Sequence, residues 1–152
     1  MSEKILQVAA LKDGTVIDHI PADKLFKVFR ILELEDCTNL ITVGNNLESK
    51  KVGLKGIIKI SERFLEDDET NKISLIAPNA IINIIKDYKV ANKRHLSLPD
   101  DVKEIVQCPN PVCVTNHQPI KTWFHLIKEE KENRLKCHYC EREMKLDEAK
   151  IK

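Results

Sequence analysis

No apolar run in this 152-residue chain approaches the ~20 residues a helix needs to cross a bilayer, so no membrane partner is expected. Charge of one sign is missing too. The 25 basic and 24 acidic residues leave a net +1, whereas domains that coat nucleic acid are usually strongly basic. A nucleic-acid partner is therefore not expected. Glycine is scarce, with 4 residues, and no phosphate-cradling G-x-x-x-x-G-K-[ST] or G-x-G-x-x-G loop occurs. The G-x-S-x-G elbow of the α/β-hydrolases is absent. There is no low-complexity tract and no internal repeat. Met1-Ser2-Glu3-Lys4 leads into a short strand-like run without the pattern of a secretory leader, so a cytoplasmic location is expected. What remains is a globular mixture, 42% hydrophobic and 32% charged, long enough for one ordinary domain or two small ones.

Four of the five cysteines fall in the last third, as Cys108-x4-Cys113 and, 23 residues on, Cys137-x2-Cys140. An odd count without a leader argues against a disulfide framework. Two close pairs separated by a longer loop suit tetrahedral zinc, because each pair supplies two thiolates from one tight turn. Four reduced core cysteines would not need to fall in pairs. Four sulfurs complete the shell, so the site is expected to be structural rather than catalytic, with His117 and His138 left at the surface. Cys37 stands alone and reads as a small packed hydrophobe.

The zinc site accounts for a second domain over residues 99–152, too short to bury a self-sufficient core. A strand over 102–106 leads into the first cysteine pair, and Trp123 to Lys128 alternates as a second strand. The expected architecture is a small antiparallel zinc ribbon, with ten basic and ten acidic residues from position 100 onward. The boundary is placed near Pro99, giving domains 1–98 and 99–152.

The first part alternates strand and helix signals. Strands are predicted over 5–11, 16–20, 39–47, 53–61, 80–86 and 88–93. Leu25, Val28, Phe29 and Leu32 recur at i, i+3, i+4 and i+7, which predicts an amphipathic helix over 22–34. A second helix is predicted over 67–75, its Asp67-Asp68-Glu69 start favoured by the helix dipole and its end set by Pro78. The fold class is α+β: an antiparallel-rich sheet with two helices on one face, followed by the zinc ribbon.

Residue chemistry gives the first domain no catalytic constellation. Asp18-His19 is the only adjacent acid–imidazole pair, and neighbours on a strand point to opposite faces, which excludes a direct dyad. A binding role is open to the same residues. A nucleotide needs cations for its phosphates, which Lys59, Lys93 and His19 could supply, and an acceptor for its ribose hydroxyls, which Asp18 could supply. The plainer reading is that strand lysines are solvated.

The string Gly14-Thr15-Val16-Ile17-Asp18-His19-Ile20-Pro21 resembles the opening motif of the regulatory chain of aspartate carbamoyltransferase. The resemblance continues through Ile57-Ile58-Lys59-Ile60, Tyr88-Lys89-Val90 with Lys93, Cys108-Pro109-Asn110, Cys113, and Leu135-Lys136-Cys137-His138-Tyr139-Cys140-Glu141, and covers essentially the whole chain. It implies a chain that performs no chemistry itself. An N-terminal allosteric domain would bind CTP and UTP as inhibitors and ATP as activator, and would form a homodimer. A C-terminal zinc domain would dock on the catalytic chain, and the assembly would serve pyrimidine biosynthesis.

Carried over by position, Asp18 and Lys59 would meet the ribose, and His19 and Lys93 the phosphates, with Lys55 nearby. Val8, Ala9, Ala10, Leu11, Val16, Asn83, Ile85, Tyr88 and Val90 would frame base and sugar. Asn110, Glu141 and Arg142 would face the catalytic chain. Two departures stand out. Ala9 occupies a position where relatives can carry an acidic residue beside the base, and Val112 offers no side-chain hydrogen bond. Two other readings compete: a nucleic-acid-binding ribbon using Trp123 and Phe124, and a thiol redox centre at Cys137-x-x-Cys140. The first lacks a basic stripe and the second lacks a helix start.

Overall fold

The computed structural model describes residues 11–50 and 53–151. The chain divides into two compact units, one ending at Ser97 and the other beginning at Leu98.

The first unit is built on β1 (Gly14–Pro21), β2 (Ile41–Ser49), β3 (Gly53–Ser61), β4 (Ile81–Lys86) and β5 (Lys89–His95). They form one antiparallel sheet in the order β2-β3-β1-β4-β5. Helices α1 (Leu25–Ile31) and α2 (Asp67–Ile76) contribute to the same core as the strands. Strand alternation decides which face they cover. Ile17, Ile58 and Ile82 lie in one cross-strand row and are buried with Leu25, Val28, Leu32 and Ile73. Their sequence neighbours Val16, Lys59 and Asn83 therefore share the opposite face.

The helical periodicity over 22–34 resolves into a shorter element than predicted. Ala22–Lys24 is a 3₁₀ turn, α1 follows, and Glu33 sits in the left-handed region at φ 54° before a second 3₁₀ turn, Leu34–Asp36. Leu25, Val28 and Leu32 still reach the core, which is what the periodicity reported. α2 begins with a reciprocal capping box: the Glu66 side chain takes the N–H of Glu69, and the Glu69 carboxylate takes the N–H of Glu66. The strand predicted over 5–11 lies outside the described residues apart from Leu11, which belongs to no regular element. Cys37 packs against the core edge as a small hydrophobe.

Gly14 has φ 141°, and a Cβ there would lie 2.1 Å from the Ile60 carbonyl oxygen on the neighbouring strand. Gly14→Ala is expected to lower stability by at least about 2 kcal/mol, since strain and a backbone clash add together. Thermal unfolding of the variant beside the parent checks this.

The second unit contains β6 (Asp101–Lys103), β7 (Val106–Gln107), β8 (Trp123–Ile127), β9 (Arg134–Cys137), β10 (Glu143–Lys145) and β11 (Lys150–Ile151). Four strands form an antiparallel sheet in the order β10-β9-β8-β6, and β7 pairs with β11. The single strand predicted over 102–106 is broken into β6 and β7, because Glu104 turns into the left-handed region at φ 65°. Phe124, opposite Val102 on one side and Cys137 on the other, is fully buried and centres this small core. Trp123 points out of that core and stacks on His138 instead.

Among the described residues, no helix is long and apolar enough to cross a membrane.

Candidate metal centre and binding face

The two cysteine pairs are brought together by different devices. Before β8, the Cys108–Cys113 loop closes through the Cys113 N–H to the Asn110 carbonyl at 3.0 Å. The Asn116 carboxamide then donates to the carbonyls of Cys108 and Asn110, and His117 Nε2 donates to the Pro111 carbonyl. After β9, Cys137 N–H bonds the Arg142 carbonyl and Glu141 N–H bonds the Cys137 carbonyl. Glu141 takes φ 64° to close that turn.

The four sulfurs lie within 4.8 Å of one another. Cys108 and Cys140 are 3.6 Å apart, and Cys113 and Cys137 are 3.8 Å apart. A tetrahedron with sulfur about 2.3 Å from its centre has edges of about 3.8 Å, so the cluster has the size of a four-thiolate metal site. Three of the four cysteines are buried and Cys140 is partly exposed.

The protonation of these sulfurs is unequal. Burial pushes the Cys108 and Cys137 thiols up, against backbone hydrogen bonds that favour the thiolate. Burial also opposes ionisation of Cys140, but the Arg142 backbone N–H, the Asn110 side chain and the Cys108 and Cys137 thiols outweigh it and bring Cys140 down to about 7. Thr115 Oγ1 lies 3.2 Å from the Cys113 sulfur. A metal entering the cluster must displace protons from the raised thiols, so its affinity falls as pH falls. Acidification is expected to release the metal before the first unit loses its fold. Metal release followed with a chromophoric chelator, alongside circular dichroism, checks the order.

Eight of the residues carried over as nucleotide contacts fall on one face of the first unit by strand register. Val16 is paired with Lys59 on β3 and with Asn83 on β4, and Asn83 is paired with Lys93 on β5. Lys59 and Lys93 thus end a row across four strands, about 14 Å apart at strand spacing. Asp18, Lys55, Ile85 and Val90 belong to the same face by register. Asp18 Oδ1 is 2.9 Å from Lys55 Nζ and accepts the His19 N–H at 2.7 Å. Burial lowers the Lys59 pKa, with Asp18 opposing the shift. The Asn83 Oδ1 is buried and finds no hydrogen-bond partner among the described residues.

β4 and β5 are joined by Asp87-Tyr88, both with positive φ, a conformation usually given to Asn-Gly. The bend before β1 holds this turn, through Asp13 Oδ1 and the Lys12 carbonyl accepting the Asp87 and Tyr88 N–H groups. Tyr88 is thereby set out from the sheet edge, exposed. Leu11 is partly buried, while Val8, Ala9 and Ala10 lie outside the described residues.

The geometry overturns one sequence argument. Asp18 and His19 do not simply face opposite ways. The pairing of β1 with β3 shifts by one residue between Ile17 and Ile20, and His19 adopts φ 59°. This bulge returns Ile20 to the core face with Ile17, and sets His19 Nδ1 3.6 Å from Asp18 Oδ2.

In the second unit Asn110, Glu141 and Arg142 all belong to the cysteine turns. The Asn110 side chain is already engaged, its Oδ1 accepting the Val112 N–H at 3.1 Å. Beside it the Val112 side chain is 79% exposed, an apolar projection with no polar function. Sequence reasoning passed over Asn116 and Thr115, whose roles depend on the folded turn and leave no spacing signal.

A family model described as the allosteric domain of the aspartate carbamoyltransferase regulatory chain matches residues 6–97, and one described as its metal binding domain matches 100–150. The chain belongs to the aspartate carbamoyltransferase regulatory chains. Among curated relatives bearing that name, the one from Phocaeicola vulgatus is 51% identical over 150 residues, covering 99% of this chain and 96% of the relative. That from Bacteroides fragilis is 53% identical over 151 residues, 99% and 97% of the two chains. Likeness extends to the archaeon Pyrococcus abyssi, at 49% identity over 145 residues, 94% and 95% of the two chains. This regulatory chain therefore combines an allosteric unit with a metal-binding unit whose cysteine cluster suits a structural metal.

Proposed function

We propose that this chain senses CTP, UTP and ATP on the open face of its first unit and transmits the signal to an aspartate carbamoyltransferase catalytic chain held by its second. The observation that carries this reading is the convergence on one sheet face of Lys55, Lys59, Lys93, Asp18 and the Asn83 Oδ1, which has no partner among the described residues. Lys93 at the β5 end suits phosphates. At the β3 end, Lys59 beside Asp18 suits ribose hydroxyls. Tyr88, Val90, Ile85 and Val16 supply apolar surface for base and sugar, and Val8, Ala9, Ala10 and Leu11 complete the frame. His19, turned by the bulge, serves the phosphate side.

The metal of the second unit is zinc. Four thiolates leave it no open position, so its role is to hold the domain folded. Asn110, Glu141 and Arg142 present the cysteine turns to the catalytic chain. The apolar Val43 and Leu54, exposed on the β2–β3 hairpin, and Leu40 just before β2 support a homodimer of regulatory chains. The assembly acts in the cytoplasm in pyrimidine biosynthesis, with CTP and UTP inhibiting and ATP activating. An effector controls the catalytic chain only by binding one quaternary state better than the other, with a coupling of about 1–3 kcal/mol, or about 5–150-fold in affinity.

Calorimetric titration of the full chain with CTP and with ATP tests the site. One site per chain is expected, with each nucleotide excluding the other. Two independent sites, or no heat from either nucleotide, would remove the shared-face reading.

A further inference from the structure

The second unit also brings a carboxylate and two imidazoles into one chain of contacts, apart from the four cysteines. Asp101 on β6 is directly opposite His125 on β8, and His125 Nδ1 lies 2.9 Å from Asp101 Oδ1. The other ring nitrogen, Nε2, lies 2.9 Å from Nδ1 of His138, just after β9. An ionised carboxylate only accepts, so His125 donates from Nδ1. In the neutral ring this leaves Nε2 as a lone pair facing His138.

Both rings are held in place. The His138 N–H donates to the Trp123 carbonyl at 2.8 Å, continuing the β8–β9 ladder. Its ring stacks on Trp123 at a 3.7 Å centroid distance and 19°, with Tyr139 set edge-on at 5.1 Å. The group is open to solvent, with the side chains of His125 and Asp101 38% and 50% exposed.

The hydrogen bond holds the two ring nitrogens 2.9 Å apart, close enough for one metal to take its place with a small shift of the exposed rings. Imidazole donors suit copper(II) and nickel(II), which outrank the earlier divalent first-row metals on nitrogen donors. Asp101 behind His125 is the carboxylate partner that fixes tautomer and ring orientation in many histidine–metal sites.

The geometry points to a second metal site, in which His125 Nε2 and His138 Nδ1 take copper(II) or nickel(II), Asp101 orients His125, and water fills the other positions. In the metal-free pair the His138 Nδ1–H donates to His125 Nε2. Binding moves that proton to Nε2 of His138, so a metal replaces a hydrogen bond with no net proton release.

The test uses zinc-loaded full chain and Ni²⁺ alone as probe. Calorimetry should find one Ni²⁺ per chain, with the zinc content unchanged. His125→Gln and His138→Gln should each weaken uptake at least about tenfold, and Asp101→Asn about tenfold, the scale typical of an outer carboxylate. Should a variant lose zinc, the unaltered protein still decides. Substoichiometric Ni²⁺ should broaden the imidazole proton signals of His125 and His138 and spare those of His95 and His117. Three results would each overturn the site: no uptake, uptake unchanged in both histidine variants, or broadening spread evenly over the five histidines of the chain.

Discussion

Cys113→Ser is expected to unfold the second unit while the first keeps its thermal transition. Structural zinc contributes about 10–16 kcal/mol of apparent binding energy in small zinc domains. Whole-domain stability is typically only about 5–15 kcal/mol. The metal-binding unit, from Leu98 to the end of the chain, has Phe124, Val102 and Leu135 as its main buried side chains. Such a core falls short without a metal, because small domains bury too little apolar surface to offset chain entropy. Cys113 is buried, its sulfur 3.8 Å from that of Cys137, and a serine hydroxyl there cannot supply a thiolate. The variant should bind no zinc and lose amide protection along β8 and β9. It should also fail to join a catalytic chain. Native protection of those strands in a zinc-free variant would show that the apolar core suffices and that the metal is incidental.

Lys93→Ala is expected to weaken CTP and ATP binding about tenfold or more, with no change in zinc content or unfolding temperature. A charge-assisted hydrogen bond to phosphate contributes about 1.5–3 kcal/mol, or roughly 10–150-fold. Lys93 is exposed at the edge of the sheet, so its truncation removes a charge and little packing. Lys89, on the same strand but paired with Lys86 on the other face, is the matched control. Lys89→Ala should leave binding unchanged. Equal losses in the two variants would mean general electrostatic attraction rather than a phosphate contact. Equal retention would place the phosphates elsewhere.

Sequence patterning carried much of this architecture. The strand signals over 16–20, 53–61 and 80–86 coincide with β1, β3 and β4 because Ile17, Ile20, Ile58, Ile60 and Ile82 are the residues that fill the core. The cysteine pairs announced a metal site because ligand spacing is local. Three features left no such trace. The bulge at His19 arises because Ile17 and Ile20 must both enter the core, a demand visible only once β3 is paired alongside. The helix stops at Ile31, and Glu33 just beyond it is a non-glycine residue in a left-handed conformation that propensity disfavours. Asp101, His125 and His138 meet across three strands, so no window of sequence contains them.

The most direct test of the account is to mix the purified zinc-loaded chain with an aspartate carbamoyltransferase catalytic chain and record aspartate saturation alone, with CTP and with ATP. A stable complex is predicted, with its half-saturation raised by CTP and lowered by ATP, and neither nucleotide acting on the catalytic chain by itself. A complex whose saturation curve ignores both nucleotides would contradict the account.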